Sequence, residues 1–310
     1  VIGPAARRAL EELLGPGVVF DVPLARHGSF GVGGPAEVLA SPASRDELAA
    51  LVTLAGAHDL PLHVLGGGFN TLVLDGGVAG VVVRTQRLRG LALEPPAVGE
   101  RQIVLTAEAG VSHSQVTRLC GERGLSGLEF GAGIPGTVGG WIAMNAGVPG
   151  REVGDRVLDV ELAGPGAARG RRDRAALAFR YRAAAGIDGG AVVLSVRFAL
   201  EPAEPAAVRG EVERHLAHRR ATQPIDQPSF GSVFKNPPGE RAGRLIELAG
   251  LKGARHGGAQ ISSVHANFIV NTGGARAADV LELMRRAQEA VRERTGIALE
   301  PEVRVVGRPG

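Results

Sequence analysis

Cysteine, lysine and large aromatics are scarce in this chain. Of 310 residues one is Cys, one Trp and one Tyr, and aromatics together make up 4%. A single thiol, Cys120, excludes an intramolecular disulfide and any metal site built on several cysteines. Its place among the apolar-periodic residues of 116–121 predicts a buried structural thiol. No stretch approaches the roughly 20 apolar residues of a membrane span. The N-terminal segment, 1–14, reads as a short amphipathic helix without a signal-peptide core, so a cytoplasmic protein is expected, without a membrane span. Basic residues barely outnumber acidic ones, 35 to 32. The densest basic run, 169–174, is short and has no interleaved aromatics, which argues against a nucleic-acid platform. The small positive excess suits an anionic small molecule instead. No His/Asp/Glu set has metal-ligand spacing. The nearest, His215 and His218 with Glu211 and Glu213 upstream, reads as a solvated helix face, and no metal is expected.

Glycine is plentiful at 47 residues and proline reaches 19. The glycines cluster in turn-like motifs rather than in a low-complexity tract. With 44% hydrophobic residues and a mean hydropathy of +0.08, the chain can bury a sizeable core, and its length suggests two or three units. Ser44-Arg45-Asp46-Glu47 is a capping box, and Leu48, Leu51, Val52 and Leu54 follow at helical spacing. Short β-branched runs at 36–40, 62–65 and 78–84 flank that helix and predict an α/β unit. A strand-rich segment follows over 103–200, with strands near 103–107, 157–162 and 191–200 and one helix near 112–123. Residues 201–205 read as a linker. Beyond it come helices near 206–219, 243–249 and 277–295 and strands near 267–271 and 302–306.

Three glycine loops stand out. Phe30-Gly31-Val32-Gly33-Gly34 is the first and Leu65-Gly66-Gly67-Gly68-Phe69-Asn70-Thr71 the second. The third, Gly131-Ala132-Gly133-Ile134-Pro135-Gly136-Thr137-Val138-Gly139-Gly140, leads into Trp141-Ile142-Ala143-Met144-Asn145. The second loop is followed by an apolar, strand-like run rather than a helix, which argues against a Rossmann fingerprint. Consecutive glycines can still form a nest whose N–H groups hold a pyrophosphate. Three such loops suggest an extended dinucleotide gripped by backbone.

Together these segments resemble the UDP-N-acetylenolpyruvoylglucosamine reductase family, over about residues 22–307. The resemblance implies an α+β chain. Its two-part FAD-binding domain, of the vanillyl-alcohol-oxidase type, covers 1–84 and 85–204, and a C-terminal α+β substrate domain covers 205–310. It implies noncovalent FAD held by Gly66, Gly67, Gly68, Phe69, Asn70 and Thr71 and by Gly133, Ile134, Pro135, Gly136, Thr137, Gly139 and Gly140. No tyrosine-bearing insertion follows Tyr181, so the chain resembles the shorter subtype without a tyrosine flap. The family reaction has two hydride steps, from NADPH to FAD and from FAD to the enolpyruvyl β-carbon of a UDP-sugar, and small-molecule partners and a monomer are expected.

The same resemblance assigns the chemistry. Phe179-Arg180-Tyr181-Arg182 matches the family's Tyr-Arg motif, which puts Tyr181 at the substrate and Arg182 at its carboxylate. A guanidinium offers that anion a fixed fork and keeps its charge. In Pro228-Ser229-Phe230-Gly231-Ser232-Val233-Phe234-Lys235-Asn236-Pro237, Ser232 becomes the proton donor and Asn236 a substrate contact, with Ser229 a turn or cap residue. Lys235 is a further substrate candidate on composition, because it and Lys252 are the only lysines in a chain that otherwise uses Arg. In Leu299-Glu300-Pro301-Glu302-Val303-Arg304, Glu302 is the catalytic carboxylate and Glu300 a solvated one. The segment from His265 to Asn271 also fits. Two positions depart from the family: Ala184 stands where Ser is common, and Thr222 where Lys is frequent, leaving Arg219 or Arg220 to take over. A related flavin oxidase and a non-catalytic nucleotide-sugar binder are the rival readings, the first opposed by the Ser232 and Glu302 motifs.

Overall fold

The computed structural model describes residues 2–95, 99, 101–187 and 189–310. The chain forms two compact units. One comprises residues 1–20, 38–67 and 80–218, the other 21–37, 68–79 and 219–310. Val1, the first residue of the expected N-terminal helix, lies outside the described residues.

In the first unit the N-terminal helix is Pro4–Leu14, opened by a proline whose missing N–H costs nothing at that position, and it buries Ala6, Leu10 and Leu14. The Ser44 cap forms as expected, its hydroxyl accepting from Glu47 N at 3.1 Å. Glu47 reaches back one residue further than a simple box, to Ala43 N at 2.7 Å. The helix Arg45–Ala57 then buries Leu48, Leu51, Val52 and Ala55. The parallel strands Val78–Arg84 and Leu62–Leu65 close a four-stranded sheet in the order Val18–Pro23, Pro35–Ala40, Val78–Arg84, Leu62–Leu65, most but not all of whose residues belong to this unit.

The strand-rich segment builds an antiparallel sheet in the order Arg169–Asp173, Val157–Ala163, Val192–Pro202, Ile103–Glu108, Leu91–Glu94. Its central strand, Val192–Pro202, is apolar nearly throughout because it is covered on both faces. Val192 and Leu194 join one hydrophobic core, while Val193, Val196, Phe198 and Leu200 join another. The expected linker begins inside this strand, which is a correction to the sequence reading. Glu201 and Pro202 pair with Ser126 and Leu125. A proline is tolerated there because the end of a strand can do without its N–H. The expected helix at 112–123 is capped by a Ser112/Gln115 box and ended by left-handed Gly124. Cys120 is buried in the core. Burial, and then the nearby Glu129 carboxylate, push its thiol up to about 12.

Two carboxylates on the strand Val157–Ala163 are clamped by arginines. Asp159 takes hydrogen bonds from Arg171 and Arg197. Glu161 takes them from Arg45, Arg169 and the buried Ser195 hydroxyl. Burial pushes the Glu161 carboxyl up, but these donors outweigh it and bring it down to about 2.

The second unit holds a four-stranded antiparallel sheet in the order Ser229–Ser232, Phe268–Asn271, Ala259–Ile261, Arg255–His256. The helix Ala277–Thr295 buries Ala277, Val280, Leu283, Met284, Ala287 and Val291, the spacing of one helical stripe, and ends at left-handed Gly296. Its first two N–H groups, on Ala277 and Ala278, donate to the Asp75 carboxylate at 3.0 and 3.1 Å. A carboxylate there satisfies orphan donors and complements the helix dipole. The terminal strand, Arg304–Val306, starts two residues later than the sequence suggests and runs parallel to Thr71–Val73.

Candidate active site

In the second unit the backbone zips together the two motifs that carry Ser232 and Glu302. Strand Ser229–Ser232 pairs with Phe268–Asn271 through a bulge. Ser229 faces Val270 and Ser232 faces Phe268, so one extra residue sits between the two pairs. Gly231 absorbs it at φ 80°, a conformation that favours glycine. Such bulges bend a strand and re-aim the following side chain, here Ser232. Beyond the bulge Val233 O accepts from Glu302 N at 2.8 Å, and Lys235 N donates to Glu300 O at 2.9 Å. Phe234 also bridges Pro301. Ser232 therefore stands next to Val233, the residue whose carbonyl holds the backbone of Glu302.

Asn267 holds the other side of this segment. Its buried amide is bidentate to Phe234, accepting from Phe234 N at 3.0 Å and donating to Phe234 O at 2.8 Å. Its own carbonyl takes Val233 N at 2.9 Å. The neighbouring His265 is half-buried, and its Nδ1 accepts from Asn267 N at 3.2 Å. Burial lowers the His265 pKa, which agrees with a neutral ring whose Nδ1 is an acceptor. The second glycine loop is tied to the same place. Asn70 Nδ2 donates to Glu302 O at 3.1 Å, and Arg304 N donates to Asn70 O at 3.0 Å. Ser29 links two motifs as well, its hydroxyl lying 2.9 Å from Gly68 O and 2.7 Å from Ser229 O. Phe30 of the first glycine loop stacks on Phe230 at 4.2 Å.

Lys235 and Asn236 have structural partners too. Lys235 Nζ pairs with the exposed carboxylate of Glu300, which the sequence marks as merely solvated. Asn236 Oδ1 accepts from Ala242 N at 3.0 Å, at the start of the helix Ala242–Leu248.

In the first unit the third glycine loop packs against the start of the second. Thr137 is 4% exposed, and its hydroxyl has no hydrogen-bond partner among the described residues. It flanks the short helix Val138–Ala143 without capping it. A Cβ on Gly66 would stand 2.7 Å from that hydroxyl oxygen, so glycine keeps the approach open. A buried unpaired hydroxyl is costly unless a ligand satisfies it. Gly133 and Gly136 are both left-handed, at φ 73° and 121°. These features fit a dinucleotide approached closely by backbone and met by one hydroxyl.

Tyr181 and Arg182 form the tip of a two-residue hairpin, closed by Arg180 pairing with Ala183 and Phe179 with Ala184. Arg182 is left-handed, at φ 57°, and its guanidinium carbon lies 5.0 Å from the Tyr181 ring centre, within reach of a cation–π contact. Non-glycine residues held in this region cluster at functional sites. Among the described residues no group of three or more His, Cys, Asp and Glu could hold a metal ion, and no helix is long and apolar enough to cross a membrane.

Comparison with known proteins agrees with the motifs. A family model described as FAD binding domain matches residues 36–166. Another, described as UDP-N-acetylenolpyruvoylglucosamine reductase, C-terminal domain, matches residues 223–306. The UDP-N-acetylenolpyruvoylglucosamine reductases of Geobacter metallireducens and Moorella thermoacetica are each 46% identical over 290 residues. These alignments cover 94% of this chain and 94% and 93% of theirs. The chain belongs to the UDP-N-acetylenolpyruvoylglucosamine reductase family. The solved reductase of that name from Thermus caldophilus matches with a TM-score of 0.79 at 37% identity, covering 94% of this chain and 98% of that one. The α+β fold, the FAD cofactor and the reductase activity in peptidoglycan-precursor synthesis are those of the family.

Proposed function

We propose that this reductase converts UDP-N-acetylglucosamine enolpyruvate to UDP-N-acetylmuramate with NADPH, as a cytoplasmic monomer. Residues 1–84 and 85–204 serve as the two FAD-binding parts and 205–310 as the substrate domain. The observation that carries the reading is the Val233–Glu302 backbone bond, which sets the Ser232 and Glu302 motifs side by side although 70 residues separate them.

Gly66, Gly67, Gly68, Phe69, Asn70 and Thr71 hold FAD together with Gly133, Ile134, Pro135, Gly136, Thr137, Gly139 and Gly140, and the Thr137 hydroxyl supplies the side-chain contact. FAD, when bound, supplies the two-electron relay between NADPH and the substrate. The protein must answer the charge that develops on the substrate and deliver one proton. Arg182 forks onto the enolpyruvyl carboxylate and stabilises the enolate as it forms. Glu302 acts with it on the same group. Ser232 gives its hydroxyl proton to the α-carbon as a positioned general acid. Serine is a weak acid, so its placement by the Gly231 bulge matters more than its acidity. Tyr181, Lys235 and Asn236 contact the rest of the substrate.

The test is NADPH oxidation followed by absorbance with and without the enolpyruvyl UDP-sugar. Oxidation that depends on this substrate supports the reading. Equal oxidation without it, drawn by oxygen, would make the chain an oxidase of related fold.

A further inference from the structure

Asn145, which follows the third glycine loop, has no role in the mechanism above. It is 1% exposed and left-handed, at φ 40°. Its amide is fully used. Oδ1 accepts from Gly154 N at 3.0 Å. Nδ2 donates to Glu152 Oε2 at 2.5 Å and to Arg180 O at 3.1 Å. Gly154 has no space for a side chain, since a Cβ there would lie 2.7 Å from the Phe179 ring and 2.8 Å from Asn145 Oδ1. Phe179 and Arg180 are one arm of the hairpin that carries Arg182 at its tip.

These contacts converge on a turn that needs holding. A left-handed residue with a Cβ costs roughly 1–2 kcal/mol, and the two-residue tip stands on the short pairs Phe179–Ala184 and Arg180–Ala183, continued below by the Gly186 N to Leu177 O bond at 2.9 Å. Among side chains Asn suits the clamp best. It tolerates a left-handed backbone, accepts from one N–H and donates to two oxygens. Aspartate has the same shape but no donor, and alanine would bring neither the bonds nor ease at this φ.

The geometry points to Asn145 as a positioning residue: by pinning the Arg180 carbonyl it fixes the hairpin and aims the Arg182 fork at the substrate carboxylate. This inference rests on the reading of Arg182 as the carboxylate ligand. It also explains how a segment continuous with the flavin-lining loop is coupled to substrate recognition, because Asn145 belongs to the one and grips the other.

The test uses the FAD-loaded enzyme and three variants. Asn145→Asp keeps the shape and the acceptor for Gly154, Asn145→Gly keeps the left-handed backbone, and Arg182→Lys probes the fork itself. Calorimetric affinity is measured for UDP-N-acetylmuramate, which bears the carboxylate, and for UDP-N-acetylglucosamine, which lacks it. Both Asn145 variants should retain flavin, bind UDP-N-acetylglucosamine as the parent does, and lose about 5- to 10-fold for UDP-N-acetylmuramate. Substrate reduction should slow by about 10- to 100-fold, as expected when a reacting group is displaced by a fraction of an ångström, while flavin bleaching by NADPH is kept. Loss of flavin, or equal weakening of both ligands, would make Asn145 a general structural residue and overturn the inference. So would Asn145 variants that bind like the parent while Arg182→Lys discriminates. If Arg182→Lys itself fails to discriminate, it is the reading of Arg182 that falls.

Discussion

Thr137→Val should make the FAD-free protein more stable and the FAD complex weaker, two changes of opposite sign from one substitution. Valine keeps the shape and β-branching of threonine and replaces only the hydroxyl. That hydroxyl is buried without a partner among the described residues, and a buried polar group left unmade costs about 1–3 kcal/mol. It caps no helix N–H, so removing it sacrifices no capping bond. The FAD-free variant should therefore gain about 1–3 kcal/mol, read as a thermal midpoint raised by about 2–4 °C for each kcal/mol in a unit of this size. In the complex the same oxygen is assigned a bond to the cofactor, and its loss should cost about 1–2 kcal/mol, a fall in FAD affinity of about 5- to 30-fold. Circular-dichroism melting of the stripped protein and FAD titration by fluorescence quenching measure the two arms. A variant that melts lower and binds FAD as the parent does would refute the assignment of Thr137 as a cofactor contact.

Other outcomes follow from the same geometry. Glycine loops without a covalent-attachment signature in the sequence imply that acid or heat releases all the flavin. Yellow colour retained on the denatured chain would contradict this and direct attention to His27, beside the first loop. Glu161, held down to about 2 in the folded state, adds stability that is complete above its unfolded value near 4.5 and lost as pH falls towards 2. Glu161→Gln should remove on the order of 1–2 kcal/mol at neutral pH, a figure discounted because its arginine partners are half exposed. It should also flatten the acid limb of stability. Denaturant midpoints at neutral and acid pH test this, and an unchanged acid limb would exclude Glu161 as its source. Glu302→Gln should slow substrate reduction while leaving flavin bleaching by NADPH intact, and normal turnover would remove Glu302 from the mechanism.

Local signals in the sequence were enough to find the longer helices, though not the short Val138–Ala143 and Arg174–Leu177. Ser44 with Glu47 and the spacing of Leu48, Leu51 and Val52 announce the end and face of one of them, because capping and periodicity act within a few residues. Pairings between distant residues leave no such trace. Glu201 and Pro202 look like a linker because nothing nearby shows that Leu125 and Ser126 will pair with them. The Asp75 carboxylate that caps the helix Ala277–Thr295 comes from 202 residues upstream, beyond any local pattern. The site divides in the same way. The identities of Arg182, Ser232 and Glu302 were visible as motifs, but the residues that place them were not. Asn145 and Asn267 sit inside recognisable segments, yet their role appears only once the Arg180 carbonyl and the Phe234 backbone are seen against them. Gly231 could have been marked earlier, since an isolated glycine in a strand pattern often signals a bulge.

The most direct test of the proposed site separates the two halves of the reaction in Ser232→Ala. Ser232 is assigned a proton transfer to the substrate α-carbon, an event that has no counterpart when NADPH reduces the flavin. Losing a positioned general acid costs about 10²–10⁴-fold, or roughly 3–5.5 kcal/mol of barrier. Stopped-flow absorbance should show near-normal bleaching of the flavin by NADPH, followed by a stalled return of colour on mixing with the enolpyruvyl UDP-sugar. Ser232→Cys should recover part of that second rate, and Ser229→Ala should be mild. Equal slowing of both phases in Ser232→Ala, or full activity, would contradict the account.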